Sequence, residues 1–424
     1  MPNPVIVLPG YYGSLLLDAV SGRKVWLTIE SILHSGEVLD AIRLDTGDPD
    51  RIVAGGILEE IELIGRWSPN VYKGLLIFLR SLGRDVVPFG IDWRRTLDYT
   101  AENLRLVIQR ARAMAGSERV DVVAHSHGGL VARAYMSRFP DSHHIDNFIT
   151  LGVPHKGMLE TFKAMVDGIS FFGFSPSHIA KVARTFPSAY ELLPTDPRDG
   201  LFRWDAVDAD PFMERGWMVS GVSPAELDRA AVVVRALPRT IPVKTTLIFG
   251  THRPTLSQAA GAPAKRLKFQ ELANGDGTVP TVSASGAGID SAVSLSRFAI
   301  PYGVHSHLFN YEPAQRIIRN ALIGRPMPHI AWGFETPTYV PGKPFGVAVD
   351  VRDADGNSID DADVRIRLTG AGTMEFRLPK APHDFFGELP MPNRQVHWQY
   401  RLTVSTGHFS FEPEVGILFA ANHS

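Results

Sequence analysis

The sequence predicts an α/β fold: a parallel sheet covered by helices on both faces, an inserted helical lid, and a small C-terminal all-β sandwich. Three observations carry this. From Val5 to Leu322, apolar strands, several of them apolar throughout, alternate with helical patterns. Residues 155–240 interrupt the alternation with an amphipathic helical stretch. Past residue 325 the pattern changes to short alternating segments separated by turn clusters. The expected division is residues 1–324 for the α/β unit and 325–424 for the sandwich.

Val5–Leu8 reads as a buried strand stopped by Pro9-Gly10. Residues 71–82 have helical spacing, with Gly83 as C-cap, residues 85–89 read as a strand, and residues 101–115 as an amphipathic helix. A β-branched run (Val120, Val122, Val123) then ends in Ala124-His125-Ser126-His127-Gly128-Gly129 and gives way to the helical pattern of residues 130–136. Ile145–Leu151, residues 243–249 and residues 296–300 are further strands, and residues 313–322 a closing helix. Within residues 155–240, Met158, Leu159, Phe162, Met165, Val166 and Ile169 share one helical face, followed by Phe171, Phe172 and Phe174. Such a face either packs on the core or covers a hydrophobic substrate channel; its place between two sheet strands favours the lid. Pro326, Pro328 and Pro337 form a hinge, and residues 346–351, 364–368 and 396–404 are sandwich strands. The cluster Asp353 to Asn357 resembles half a calcium loop but lacks the glutamate at the twelfth position, so a hairpin turn is expected.

Composition narrows the function. A net charge of −2 with no basic stripe argues against a nucleic-acid partner. With no cysteine, disulfides, thiolate catalysis and cysteine-ligated zinc are excluded. Met1-Pro2-Asn3-Pro4 leads directly into the first strand, without a basic n-region or cleavage site. No apolar run approaches the roughly 20 residues that span a bilayer. The expectation is a soluble, cytoplasmic protein, with leaderless export left open.

The chemistry is concentrated at Ser126. A strand, a serine with small residues two positions away, and a helix make the layout of a nucleophile elbow, with alanine in place of the first glycine of G-x-S-x-G. A serine on so sharp a turn projects its hydroxyl clear of the sheet, and the next N–H, that of His127, points to the same spot from a helix N-terminus. Serine needs a base and an orienting carboxylate, and in this layout they follow in the order Ser, Asp, His. Asp276, between Gly275 and Gly277, supplies the acid in a tight loop after a late strand. His305 and His307 both follow the last strand; His307, nearer the terminal helix, is the expected base. The second oxyanion donor is expected from the loop after the first strand, as the N–H of Tyr11. His125 and His127 stand two apart on a tight turn with no third ligand spacing, so neither a metal nor any other cofactor is expected.

These segments resemble the lecithin:cholesterol acyltransferase family of α/β hydrolases. Residues 5–10 followed by Tyr11 resemble its oxyanion strand and loop, and Gly90-Ile91-Asp92-Trp93-Arg94 its D-W-R segment. His125-Ser126-His127-Gly128 resembles its H-S-x-G, and Thr150-Leu151-Gly152-Val153-Pro154 the strand end after the elbow. Gly275-Asp276-Gly277-Thr278-Val279 and His307-Leu308 resemble its acid and base segments, and Leu192-Leu193-Pro194 a late lid element. The resemblance spans residues 4–322. It implies an α/β-hydrolase fold and a serine-dependent carboxylic ester hydrolase or acyltransferase acting on lipid esters, of lipase or phospholipase A type. The chain departs from the family in lacking its cysteines, and no signal peptide is expected. Tyr11 stands where relatives can carry a smaller residue, which would narrow the acyl site. The C-terminal segment resembles bacterial immunoglobulin-like domains through Gly342-Lys343-Pro344 and the Asp353 turn. The expected partners are a lipid ester and, transiently, a lipid surface: the phenylalanines should either cover the pocket or contact lipid, with Lys163 and Lys181 placed to face headgroups. The alternative is a catalytically silent scaffold serving binding or adhesion, against which the intact Ser, Asp, His order argues.

Overall fold

The computed structural model describes residues 2–26, 35–61, 71–170, 174–325, 328–407, 410–411 and 413–421. At its centre is a six-stranded sheet of β1 (Val5–Leu8), β2 (Val86–Pro88), β3 (Val120–His125), β4 (Ile145–Leu151), β5 (Lys244–Thr251) and β6 (Leu295–Pro301). All its pairings are parallel, in the order β6-β5-β4-β3-β1-β2. Every residue of β1 and β3 is buried. That is why β1 is apolar throughout and β3 carries an apolar run from Val122 to Ala124: alternate side chains enter two different cores.

One core joins Ile6, Leu8, Val122 and Ala124 to the helices α2 (Leu97–Ala115) and α3 (His127–Arg138). The other joins Val5, Val7, Val123 and Ile149 to α1 (Lys73–Ser81) and α7 (Glu312–Ile323). Helix α2 begins earlier than its apolar spacing suggests because Thr96 caps it, accepting the Tyr99 N–H, and it ends at Gly116 with φ 59°.

Between β4 and β5 lies the inserted segment with α4 (Leu159–Val166), α5 (Pro176–Ala183) and α6 (Pro224–Ala236). Met158, Leu159, Phe162, Met165 and Val166 are all buried, and Phe162 meets Trp217 edge-on at 4.6 Å. Phe174, expected either to cover the pocket or to contact lipid, is buried and stacked on Trp26 at 5.7 Å. Phe171 and Phe172 lie outside the described residues. A long hairpin, Arg253–Ala262 and Lys265–Gly275, was not expected; its small and polar residues and repeated register shifts hide the strand alternation. It extends the insertion by pairing with Phe202–Trp204.

The C-terminal region is all β, with a three-stranded and a five-stranded sheet around an apolar cluster that includes Val347, Val349, Ile366, Leu368 and Trp398. It meets the α/β sheet where the buried Asp350 carboxylate accepts the Ala299 N–H and where His252 Nε2 lies 2.7 Å from Asp384. Asp353 makes the expected turn, accepting the N–H groups of Asp355 and Asn357. Among the described residues, no helix is long and apolar enough to cross a membrane. The parallel sheet, its two helical faces and the strand-to-helix turn at Ser126 constitute the α/β-hydrolase fold.

Candidate active site

β3 ends at His125 and α3 begins at His127, leaving Ser126 alone in the turn with φ 51° and ψ −127°. A positive φ is strained for a residue with a side chain. The turn is anchored by the Ser126 N–H, which donates to the Leu151 carbonyl at 2.9 Å. It also presses against the loop after β1. A Cβ on Gly10 would lie 2.8 Å from Ser126 Cβ, one on Gly128 2.6 Å from the Pro9 carbonyl oxygen, and one on Gly129 2.2 Å from a Val153 methyl. The glycines allow Ser126, the loop after β1 and the end of β4 to converge.

Ser126 Oγ lies 2.9 Å from His305 Nε2, and His305 Nδ1 lies 2.7 Å from the Asp276 carboxylate. The other Asp276 oxygen accepts the N–H groups of Thr278 and Val279 at 3.0 and 2.8 Å. The Asp276 carbonyl accepts the His305 N–H at 2.9 Å, so the Asp276 and His305 segments are tied twice. Gly152, at φ 57°, leaves room for both: a Cβ there would meet the Asp276 carboxylate at 2.9 Å and His305 Nδ1 at 3.0 Å.

His307, the expected base, is not in this line. Its Nδ1 lies 2.8 Å from Ser306 Oγ, and its exposed ring stands at the pocket wall. Residues 305–310 form a 3-10 helix ahead of α7. With about three residues per turn, a side chain two positions on points well away from its predecessor. Closeness to the terminal helix therefore does not select the histidine that meets Ser126.

The loop after β1 carries Tyr11, and among the described residues neither its N–H nor that of His127 has an acceptor. The Tyr11 ring packs on Trp93 at 5.4 Å and edge-on to His127 at 5.6 Å. Trp93 is held in turn by its neighbours. The buried Arg94 guanidinium pairs with both Asp92 oxygens and donates to the carbonyls of Ile42 and Ile52. The D-W-R segment thus acts structurally, as a brace for the loop. Burial pushes the His127 imidazole down to about 4, leaving it neutral.

A cavity of about 440 Å³ opens onto Ser126 and His305. Tyr12, Ile61, Val71, Met158 and Ile169 give it apolar walls. The inserted segment covers it through Met158, α4 and Ile169, as a lid would. Glu160 is its one carboxylate among the described residues, pushed up by burial. Tyr72 and His125 also line the cavity and are bonded to each other; nothing in the sequence near either residue signals that contact, which spans 53 positions.

Residues 93–189 match the family described as palmitoyl protein thioesterase. The chain is similar to lecithin-cholesterol acyltransferase-like 4 of Arabidopsis thaliana, with 25% identity over 45% of this chain and 43% of the relative. It is similar also to phospholipase A(1) LCAT3 of the same plant, with 26% identity over 26% of this chain and 28% of the relative. The matches span less than half the length of these curated relatives. Among solved structures, the mature lipase BlEst2 of Bacillus licheniformis aligns with 76% of this chain and 92% of its own at a TM-score of 0.38 and 9% identity.

Proposed function

We propose that the chain is a serine-dependent hydrolase or acyltransferase of lipid esters, a reading supported by its similarity to a lecithin-cholesterol acyltransferase-like protein and a phospholipase A(1). The observation that carries this reading is the line from Ser126 Oγ through the His305 ring to Asp276. His305 Nε2 removes the hydroxyl proton as Ser126 Oγ attacks the ester carbonyl carbon, and Asp276 stabilises the imidazolium that forms. The carbonyl oxygen becomes an oxyanion, which the Tyr11 and His127 N–H groups receive. Collapse expels the alcohol, protonated by His305, and leaves an acyl-serine. Water or a second alcohol then attacks, His305 again moving the proton, and free acid or a new ester departs.

The apolar cavity favours an acyl chain over a small polar group. An acyl chain also suits relatives named as an acyltransferase-like protein and a phospholipase A(1). A silent scaffold has no need for a buried acid, a bonded base and a strained serine in register.

The test is incubation with phosphatidylcholine vesicles containing a long-chain alcohol, with products followed by mass spectrometry. The expected result is free fatty acid, alkyl ester or both from the native protein, and neither from Ser126→Ala. Equal product from Ser126→Ala, or none from the native protein on any lipid ester supplied, overturns the reading.

A further inference from the structure

His125 is buried beside the nucleophile, yet the reaction leaves it idle. Its Nε2 lies 3.0 Å from the His305 carbonyl oxygen, which can only accept, so Nε2 carries the proton. Nδ1 then offers a lone pair, and Tyr72 Oη, 2.6 Å away, donates to it. The Tyr72 oxygen in turn accepts the Gly10 N–H at 2.7 Å. A backbone N–H at one end and a backbone carbonyl at the other thus determine the direction of every proton between them. Burial pushes His125 well below its ordinary value, which keeps the imidazole neutral, as this chain of bonds requires. The rings are clamped as well: Phe309, from the same short helix as His305, stacks on Tyr72 at 5.2 Å and meets His125 edge-on at 5.4 Å.

The three bonds join segments that are distant in sequence. Gly10 precedes Tyr11 in the oxyanion loop, Tyr72 stands at the start of α1, His125 precedes Ser126, and His305 is the base. We propose that Tyr72 and His125 form a neutral positioning relay that holds the oxyanion loop and the base loop in register on either side of the nucleophile. The proposal rests on the reading of Ser126 and His305 as nucleophile and base. Its consequence is kinetic: misplacing reacting groups by about 1 Å costs about a hundredfold in rate without weakening substrate binding to match.

Tyr72→Phe removes one oxygen, cutting two of the bonds while keeping the ring on Phe309. His125→Asn keeps an acceptor near Nδ1 but no longer reaches the His305 carbonyl. Both variants and their combination are compared with the native protein on a short soluble ester, with thermal unfolding measured alongside. Each single variant should lower kcat by about ten- to a hundredfold with KM within about twofold. The double should be no slower than the slower of the two single variants, because a chain cut once is already cut. A kcat within about twofold of native in Tyr72→Phe, or losses that multiply in the double, overturns the relay. Should His125→Asn fail to fold, Tyr72→Phe alone decides. Fluorophosphonate labelling of the native protein separates the two failures. Unlabelled protein removes the nucleophile reading and the relay with it, whereas labelled protein with undiminished variants removes the relay alone.

Discussion

His305 Nε2 stands 2.9 Å from Ser126 Oγ, while His307, two residues later, turns to Ser306. The 3-10 turn that separates their directions gives a direct comparison. His305→Ala should lose about four orders of magnitude or more in kcat on a soluble ester, as deletion of a triad member does. His307→Ala, at the pocket wall, should keep kcat within about a factor of ten. Steady-state kinetics of the two variants side by side would reverse the assignment if the order of the losses were inverted.

Gly128 lies under the nucleophile turn, where an added Cβ would meet the Pro9 carbonyl oxygen at 2.6 Å and Leu8 Cβ at 2.8 Å. Both are parts of a buried strand end and cannot swing aside. Gly128→Ala should therefore destabilise the protein by about 1–3 kcal/mol and reduce activity further by moving the Tyr11 loop away from Ser126. Denaturant unfolding with a parallel esterase assay checks both; native stability with native activity would show that the loop tolerates the shift.

Thr96 supplies a control remote from the chemistry. Its Oγ1 accepts the Tyr99 N–H at 3.1 Å at the start of α2. Thr96→Ala should cost about 1 kcal/mol of stability and leave kcat and KM at native values. A larger loss of activity than of stability would mean that α2 transmits to the site.

His329 ties stability to pH. It is buried against Phe298, and burial, helped by the charges of Arg316 and Arg352, pushes it down to about 3. The unfolded chain takes up this proton near pH 6.5, at the ordinary histidine value of about 6.5, and the folded chain only near pH 3. Between these values the unfolded state binds more protons, so stability falls as pH falls through that window. In His329→Phe, the decline in Tm from pH 6.5 to pH 4 should be shallower than in the native protein. An unchanged slope in differential scanning calorimetry would place the acid sensitivity elsewhere.

Much of the fold is legible because the centres of the main strands are buried, so short apolar runs such as Val5–Leu8 and residues 122–124 stand out in the sequence. Ser126 and Asp276 are legible for a related reason. Strain at Ser126 and close packing at Gly275 demand small residues, and Gly128, Gly275 and Gly277 mark the two turns locally. What escapes is decided by contacts across the chain. The choice between His305 and His307 depends on a short 3-10 helix that their spacing does not announce. Phe174 looks like a lid contact until Trp26, far earlier in the chain, covers it. The bond from Tyr72 to His125 has no local signature at all, since tyrosine at a helix start and histidine at a strand end are each ordinary.

The central claim is that Ser126 is the nucleophile, and covalent capture tests it most directly. Native protein is treated with a fluorophosphonate, digested, and mapped by mass spectrometry, with Ser126→Ala and His305→Ala in parallel. The account predicts a single stoichiometric adduct on the peptide containing Ser126, none in Ser126→Ala, and greatly slowed labelling in His305→Ala. An adduct on another residue, or undiminished labelling of Ser126→Ala, would contradict it.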